Sequence, residues 1–191
     1  FDTNMTSITD LDSSVLSEKN IEIKNFVAKL ELGIELDLEY LSRQIEKTTY
    51  EPERYPSLIY RPSNKPTVLI TRTGILLFTG GSSPEDIMAS YEQIAEELNQ
   101  LGIDSTGRVE DIIVKNIVSV FEYPDSLDLS ELSLKLGIEN IEYEPEQFPG
   151  MVYRISNGVV ALIFSSGKII LTGGDSTDQI LSASEELYQM I

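Results

Sequence analysis

The chain has 191 residues, 41% of them hydrophobic, with no cysteine, no histidine and a formal net charge of −18 from 32 acidic and 14 basic side chains. Without cysteine there are no disulfides or thiolate metal sites, and without histidine the usual general base near neutrality and the commonest zinc ligand are gone, so catalytic triads, zinc hydrolases and zinc fingers are excluded. No apolar run approaches the ~18 residues that span a bilayer, and the start lacks the basic and apolar regions of a signal peptide, so a cytoplasmic chain with no membrane partner is expected.

Residues 1–20, FDTNMTSITDLDSSVLSEKN, are polar and acidic and show no sustained period, which predicts a disordered tail. From Ile21 the chain falls into two copies of one pattern, residues 21–111 and 112–191. Ile21–Ala28 matches Ile112–Ser119 and Leu36-Asp-Leu matches Leu127-Asp-Leu at an offset of 91, while Tyr50–Pro56 matches Tyr143–Pro149 and Val68–Gly81 matches Ala161–Gly174 at an offset of 93. A two-residue difference in the first helix of the copy, or in the loop after it, accounts for the change. Each copy reads as strand, helix, several strands, long helix. Ile21 to Leu32 predicts a strand, Leu36 to Ile45 a helix, and the runs Leu58–Arg61, Thr67–Thr71 and Ile75–Thr79 an antiparallel meander. Ser83-Pro-Glu-Asp then supplies a cap, a first-turn proline and acids at the positive end of a helix that runs to about Leu101, and Asp175–Asp178 opens its counterpart, ending near Met190.

Alternation along the strands separates two faces. Phe26, Ala28 and Leu30, with Val68, Ile70, Leu76 and Phe78, suit the face that the helices cover. The opposite face carries Val27, Leu69, Leu77 and Thr79 in the first copy, and Val118, Leu162, Phe164, Ile170 and Thr172 in the second. Helices on one side leave this second face bare, and two such sheets would expose more apolar surface than the ~400 Å² a soluble monomer usually tolerates. The pattern calls for a partner.

These residues resemble the TATA-binding protein family, in its archaeal branch, over Ile21 to Ile191. The stretch Tyr143-Glu-Pro-Glu-Gln-Phe-Pro-Gly-Met-Val-Tyr-Arg154, then Leu162-Ile-Phe-Ser-Ser-Gly-Lys168 and Leu171-Thr-Gly173, looks like the family's signature. The resemblance implies an α+β fold of two pseudo-symmetric repeats forming a saddle, with a curved antiparallel sheet on the concave face and helices on the convex one. It also implies a general transcription initiation factor, not an enzyme and without a cofactor, that lays its sheet on the minor groove of double-stranded TATA-type promoter DNA, bends it and recruits transcription factor B. On that resemblance Asn25 and Asn116 match the central donor pair, Thr79 and Thr172 the threonines flanking it. Val27, Val118, Leu69, Leu162, Leu77 and Ile170 match the apolar groove contacts. Phe148, next to Pro149, and Phe164 match the wedges that unstack a base step. Arg154, Lys168 and Arg61 match phosphate anchors, with Arg54 beside Tyr55 in the first copy, and Glu144, Glu146 and Gln147 fall in the loop that engages transcription factor B. The acidity argues at first sight against nucleic acid, yet it suits a salty cytosol, where screening lengths fall to roughly 3 Å near 1 M salt. The resemblance to acidic haloarchaeal members fits that explanation, and binding is expected to require molar potassium salt.

The first copy departs from the pattern: Tyr55 stands at one wedge position, Thr71 at the other, and Ile75 replaces the lysine. These losses keep open a second reading, a divergent paralogue that acts mainly through protein partners, and a homodimer through the bare faces in the absence of DNA stays open as well. A catalytic reading rests only on Gly-rich turns such as Thr172-Gly-Gly174, which lack a phosphate-loop lysine, and no carboxylate spacing marks a metal site.

Overall fold

In the computed structural model residues 5–191 are described. The chain forms two compact units: the segment up to Leu11 with Asn25–Lys115, and Asp12–Lys24 with Asn116–Ile191. In chain order the elements are β1 (Thr6–Ser7), α1 (Ser14–Glu18), β2 (Glu22–Glu31), α2 (Leu38–Gln44), β3 (Thr48–Thr49), β4 (Leu58–Tyr60), β5 (Thr67–Ile70), β6 (Ile75–Gly81) and α3 (Pro84–Gln100). They continue with β7 (Ile113–Glu122), α4 (Leu129–Leu136), β8 (Ile141–Glu142), β9 (Met151–Arg154), β10 (Val160–Ile163), β11 (Lys168–Gly174) and α5 (Thr177–Met190).

In the first unit the strands lie in the order β3-β4-β5-β6-β2, every pair antiparallel. Phe26, Ala28, Leu30, Val68, Ile70, Leu76 and Phe78 are fully buried, beneath Ile87, Ile94 and Leu98 of α3. The second unit repeats the order as β8-β9-β10-β11-β7, again antiparallel. There Ile117, Ala161, Ile163, Ile169 and Leu171 are buried with Ile180, Ala183 and Leu187 of α5. Helices α2, α3, α4 and α5 each start at a capping side chain, α2 two residues later than the expected Leu36. Asp37 and Asp128 accept hydrogen bonds from Tyr40 N and Glu131 N at 3.1 Å, and Ser83 and Ser176 from Asp86 N and Gln179 N at 3.2 Å. The change of offset is located after α4, where Gly137, at φ 88°, leads into a 3₁₀ turn over Ile138–Asn140 before β8.

The expected tail over residues 1–20 needs correcting. Residues 1–4 lie outside the described part, but Thr6 and Ser7 pair with Val114 and Ile113, and Ile8 N donates to Ile112 O at 2.8 Å. Ile8 and Leu16 are fully buried and Leu11 nearly so. Three apolar residues at irregular spacing, which carry no helical or strand period, are enough to fix this segment because each finds its own place in a core.

Candidate nucleic-acid interface

The face opposite the helices is half-buried and apolar in both units. Cross-strand register puts Val27 beside Thr79 and Thr79 beside Thr67, and in the next row Ile59 beside Leu69 and Leu69 beside Leu77. In the second unit Val152, Leu162, Ile170 and Val120 form one row, and Arg154, Val160 and Thr172 the next. Val118 lies on the same face as Val120, two residues along β7.

Each face holds one asparagine whose direction the backbone sets. The β2–β6 ladder bulges where Phe26 meets Gly81 but Val27 meets Thr79, leaving Gly80 unpaired with φ 101°, and its N–H donates to Asn25 Oδ1 at 2.8 Å. The β7–β11 ladder bulges in the same place, and Gly173, with φ 89°, donates to Asn116 Oδ1 at 2.7 Å. With the amide oxygen committed, the NH₂ group is the free end. Asn116 Nδ2 also reaches Thr172 Oγ1 at 3.3 Å, which spends one of its two hydrogens and leaves the other for a ligand acceptor.

At the end of the second unit's sheet Phe148 and Phe164 meet edge to face, centroids 5.8 Å apart and planes at 73°. Phe148 is 42% exposed. Both rings press on Gly150, where an added Cβ would lie 2.8 Å from Phe148 Cε1 and 3.0 Å from Phe164 Cε1. Gly150 is therefore what lets the two rings close over the strand, a packing role that the sequence alone does not reveal. The first unit has Tyr55, 43% exposed, with Thr71 in place of the second ring and Ser57 in place of the glycine. A cleft of about 400 Å³ opens there, lined by Tyr50, Pro56, Ser57, Thr71 and Arg72.

The expected anchors Arg61, Arg154 and Lys168 are exposed, as is Pro149. Arg154 pairs with Glu142 at 2.8 Å and Arg54 with Glu51 at 3.3 Å, both on the surface. Glu144, Glu146 and Gln147 are exposed on a turn in which Gln147 N and Phe148 N donate to Glu144 O at 2.9 and 3.0 Å. The same turn recurs at Glu51, with Arg54 N and Tyr55 N as donors. Among the described residues no group of acidic side chains has the arrangement of a metal site, and no helix is long and apolar enough to cross a membrane.

Two α+β repeats, each with helices on one sheet face and an asparagine set in an open apolar face, define a duplicated α+β protein with one uncovered sheet face in each repeat. Residues 20–101 and 111–191 each match the family model described as transcription factor TFIID, or TATA-binding protein. A TATA-box-binding protein of Haloarcula marismortui is 40% identical over 176 residues, covering 91% of this chain and 94% of that one. One of Archaeoglobus fulgidus is likewise 40% identical over 176 residues, covering 91% and 96%. The solved structure of Methanococcus jannaschii TBP is similar with a TM-score of 0.78 and 36% identity, over 89% of this chain and 97% of that one. The chain belongs to the TATA-binding protein family, whose members are transcription factors and not enzymes.

Proposed function

We propose that the protein is a general transcription initiation factor that binds the minor groove of TATA-type promoter DNA, bends it and recruits transcription factor B. The observation that carries this reading is the pair Asn25 and Asn116, each with its oxygen held by a bulge glycine and at least one amide hydrogen left to donate from an apolar face. The minor groove of A·T pairs offers only acceptors, adenine N3 and thymine O2, so a donor surrounded by aliphatic groups is complementary to it. Thr79 and Thr172, Val27 and Val118, and the rows containing Leu69, Leu77, Leu162 and Ile170 supply the apolar and van der Waals contact. Phe148 and Phe164 act as the wedge at one end of the site: unstacking a step costs a few kcal/mol, which the larger wrapped contact offsets. Arg61, Lys168, Arg154 and Arg54 hold phosphates, the surface ion pairs of Arg154 and Arg54 being weak enough to exchange for them. Glu144, Glu146 and Gln147 form the contact with transcription factor B. In a cell without a nucleus such a protein is associated with the nucleoid.

Thr71, Ser57 and the cleft beside them favour a second reading, a paralogue with weak or altered DNA binding that works mainly through protein partners, or that associates through its bare faces. Mobility shifts at high potassium with TATA and scrambled duplexes, with and without transcription factor B, separate the two. Direct preference for the TATA duplex supports the initiation factor, whereas a shift seen only with the protein partner supports the paralogue. Affinity that falls steadily from low potassium upward would overturn the expected requirement for molar salt.

A further inference from the structure

Among the differences between the bare faces of the two units, one places a charge where the other has an aliphatic side chain. In the second unit the row Val152, Leu162, Ile170, Val120 is aliphatic throughout. The equivalent row in the first unit is Ile59, Leu69, Leu77 and Lys29. An ammonium group stands where the other copy has a valine.

Lys29 Nζ lies 2.7 Å from Glu31, two residues along the same strand and so on the same face. Across the ladder Glu31 pairs with Ile75, whereas in the second unit the equivalent Glu122 pairs with Lys168. The cation that the second unit carries on β11 is thus carried by the first on β2. Glu31 is exposed, and its carboxyl is held below the usual carboxylate range by the hydrogen bond and charge of Lys29, with Lys115 adding to the effect.

An apolar face pressed into a groove strips water from any charge it contains, and an ammonium group so desolvated needs an anionic partner. A carboxylate beside the same groove meets the charge of the phosphates and is repelled. The four-carbon stem of lysine can carry its charge from one partner to the other. When Lys29 departs, Lys115 still acts on the Glu31 carboxylate from the same cleft, which Glu110 and the Arg108–Asp111 pair also line.

We infer that Lys29 is a DNA-backbone anchor in place of the lysine missing at Ile75, held by Glu31 in the free protein and passed to a phosphate when DNA binds. The inference rests on the minor-groove reading above. It assigns the first repeat a phosphate contact at a different strand from the second, so the two halves grip the backbone at unequal points.

The test is a fluorescence-anisotropy titration of a TATA duplex across a potassium chloride series with the wild type, Lys29→Val, Lys29→Arg and Glu31→Gln. Lys29→Val installs the residue of the second repeat, and its unfolding midpoint should match the wild type. It should weaken binding about tenfold, the scale of one charge-assisted contact, and change the slope of log affinity against log salt by about one counterion. Lys29→Arg should keep affinity and slope, and Glu31→Gln should tighten binding because no latch has to open. If Lys29→Val binds as the wild type does, or loses affinity with an unaltered salt slope, the phosphate assignment is overturned. Unchanged binding by Glu31→Gln overturns the latch. A wild-type protein with no preference for the TATA duplex overturns the proposed function itself, which is a separate failure.

Discussion

Asn25 and Asn116 show how a polar side chain on a sheet acquires a direction. Their recurrence at matching points of two copies is visible in the sequence, as are the paired glycines at 80 and 173. That those glycines bulge the ladder and aim an N–H at each amide oxygen is not visible, because a bulge depends on how two strands pair. Asn116→Asp tests the consequence. It keeps an oxygen for Gly173 N–H but replaces the free donor with a negative charge, so stability should change by no more than about 1 kcal/mol, while affinity for a TATA duplex falls by about 1–3 kcal/mol or more. Thermal unfolding and anisotropy titration read the two effects separately. Ser119 is the opposite case: its hydroxyl is buried without a partner, and the first repeat has Ala28 at the equivalent place. Ser119→Ala should therefore raise stability, by up to about 1 kcal/mol, measured by denaturant unfolding.

At the scale of elements, the strands and long helices were legible because each has an unbroken period and a clear stop. Ser83 and Ser176 cap their helices, and Gly74 and Gly167 turn their hairpins with positive φ at sites where a Cβ would collide with Ile34 O and Tyr123 O respectively. The two-residue strands β3 and β8 were not legible, since two residues show no period. The hairpin ends explain why the first repeat lacks the aromatic pair and its glycine as a set. Phe164 requires glycine at 150, and Thr71 is accompanied by Ser57 at the equivalent place. Thr71→Phe alone should thus fit poorly and destabilise, by the ~1–3 kcal/mol typical of overpacking. Thr71→Phe with Ser57→Gly should relieve that cost and increase the DNA bend at the first repeat's end. Energy transfer between duplex ends measures it, and a double variant with an unaltered bend angle would count against the wedge.

For the molecule as a whole, charge −18 is the feature a reader of the sequence meets first, and it suits a salty setting. Family membership was equally legible, because both copies keep their motifs in order. Alkaline behaviour follows from the fold instead. Burial raises the phenol of Tyr60 above its ordinary value of 10.0, with Glu97 adding to the shift, and burial raises Tyr153 with Glu186 adding to it. A raised folded-state value means that this contribution to stability is whole below pH 10 and is lost as pH rises through the folded value. Ultraviolet titration should find these two phenols ionising above the ordinary tyrosine value, with unfolding midpoints falling over the same range. The N-terminal segment was the largest misreading, and it lies almost entirely before the first residue matched by the family. Its residues up to Leu11 belong to one unit and Asp12–Lys24 to the other. Cleavage by a protease needs an extended, accessible chain, which a segment with Ile8 and Leu16 wholly buried does not present. Limited digestion with a protease of broad specificity should accordingly leave the bonds from Ile8 to Leu16 intact until the protein unfolds.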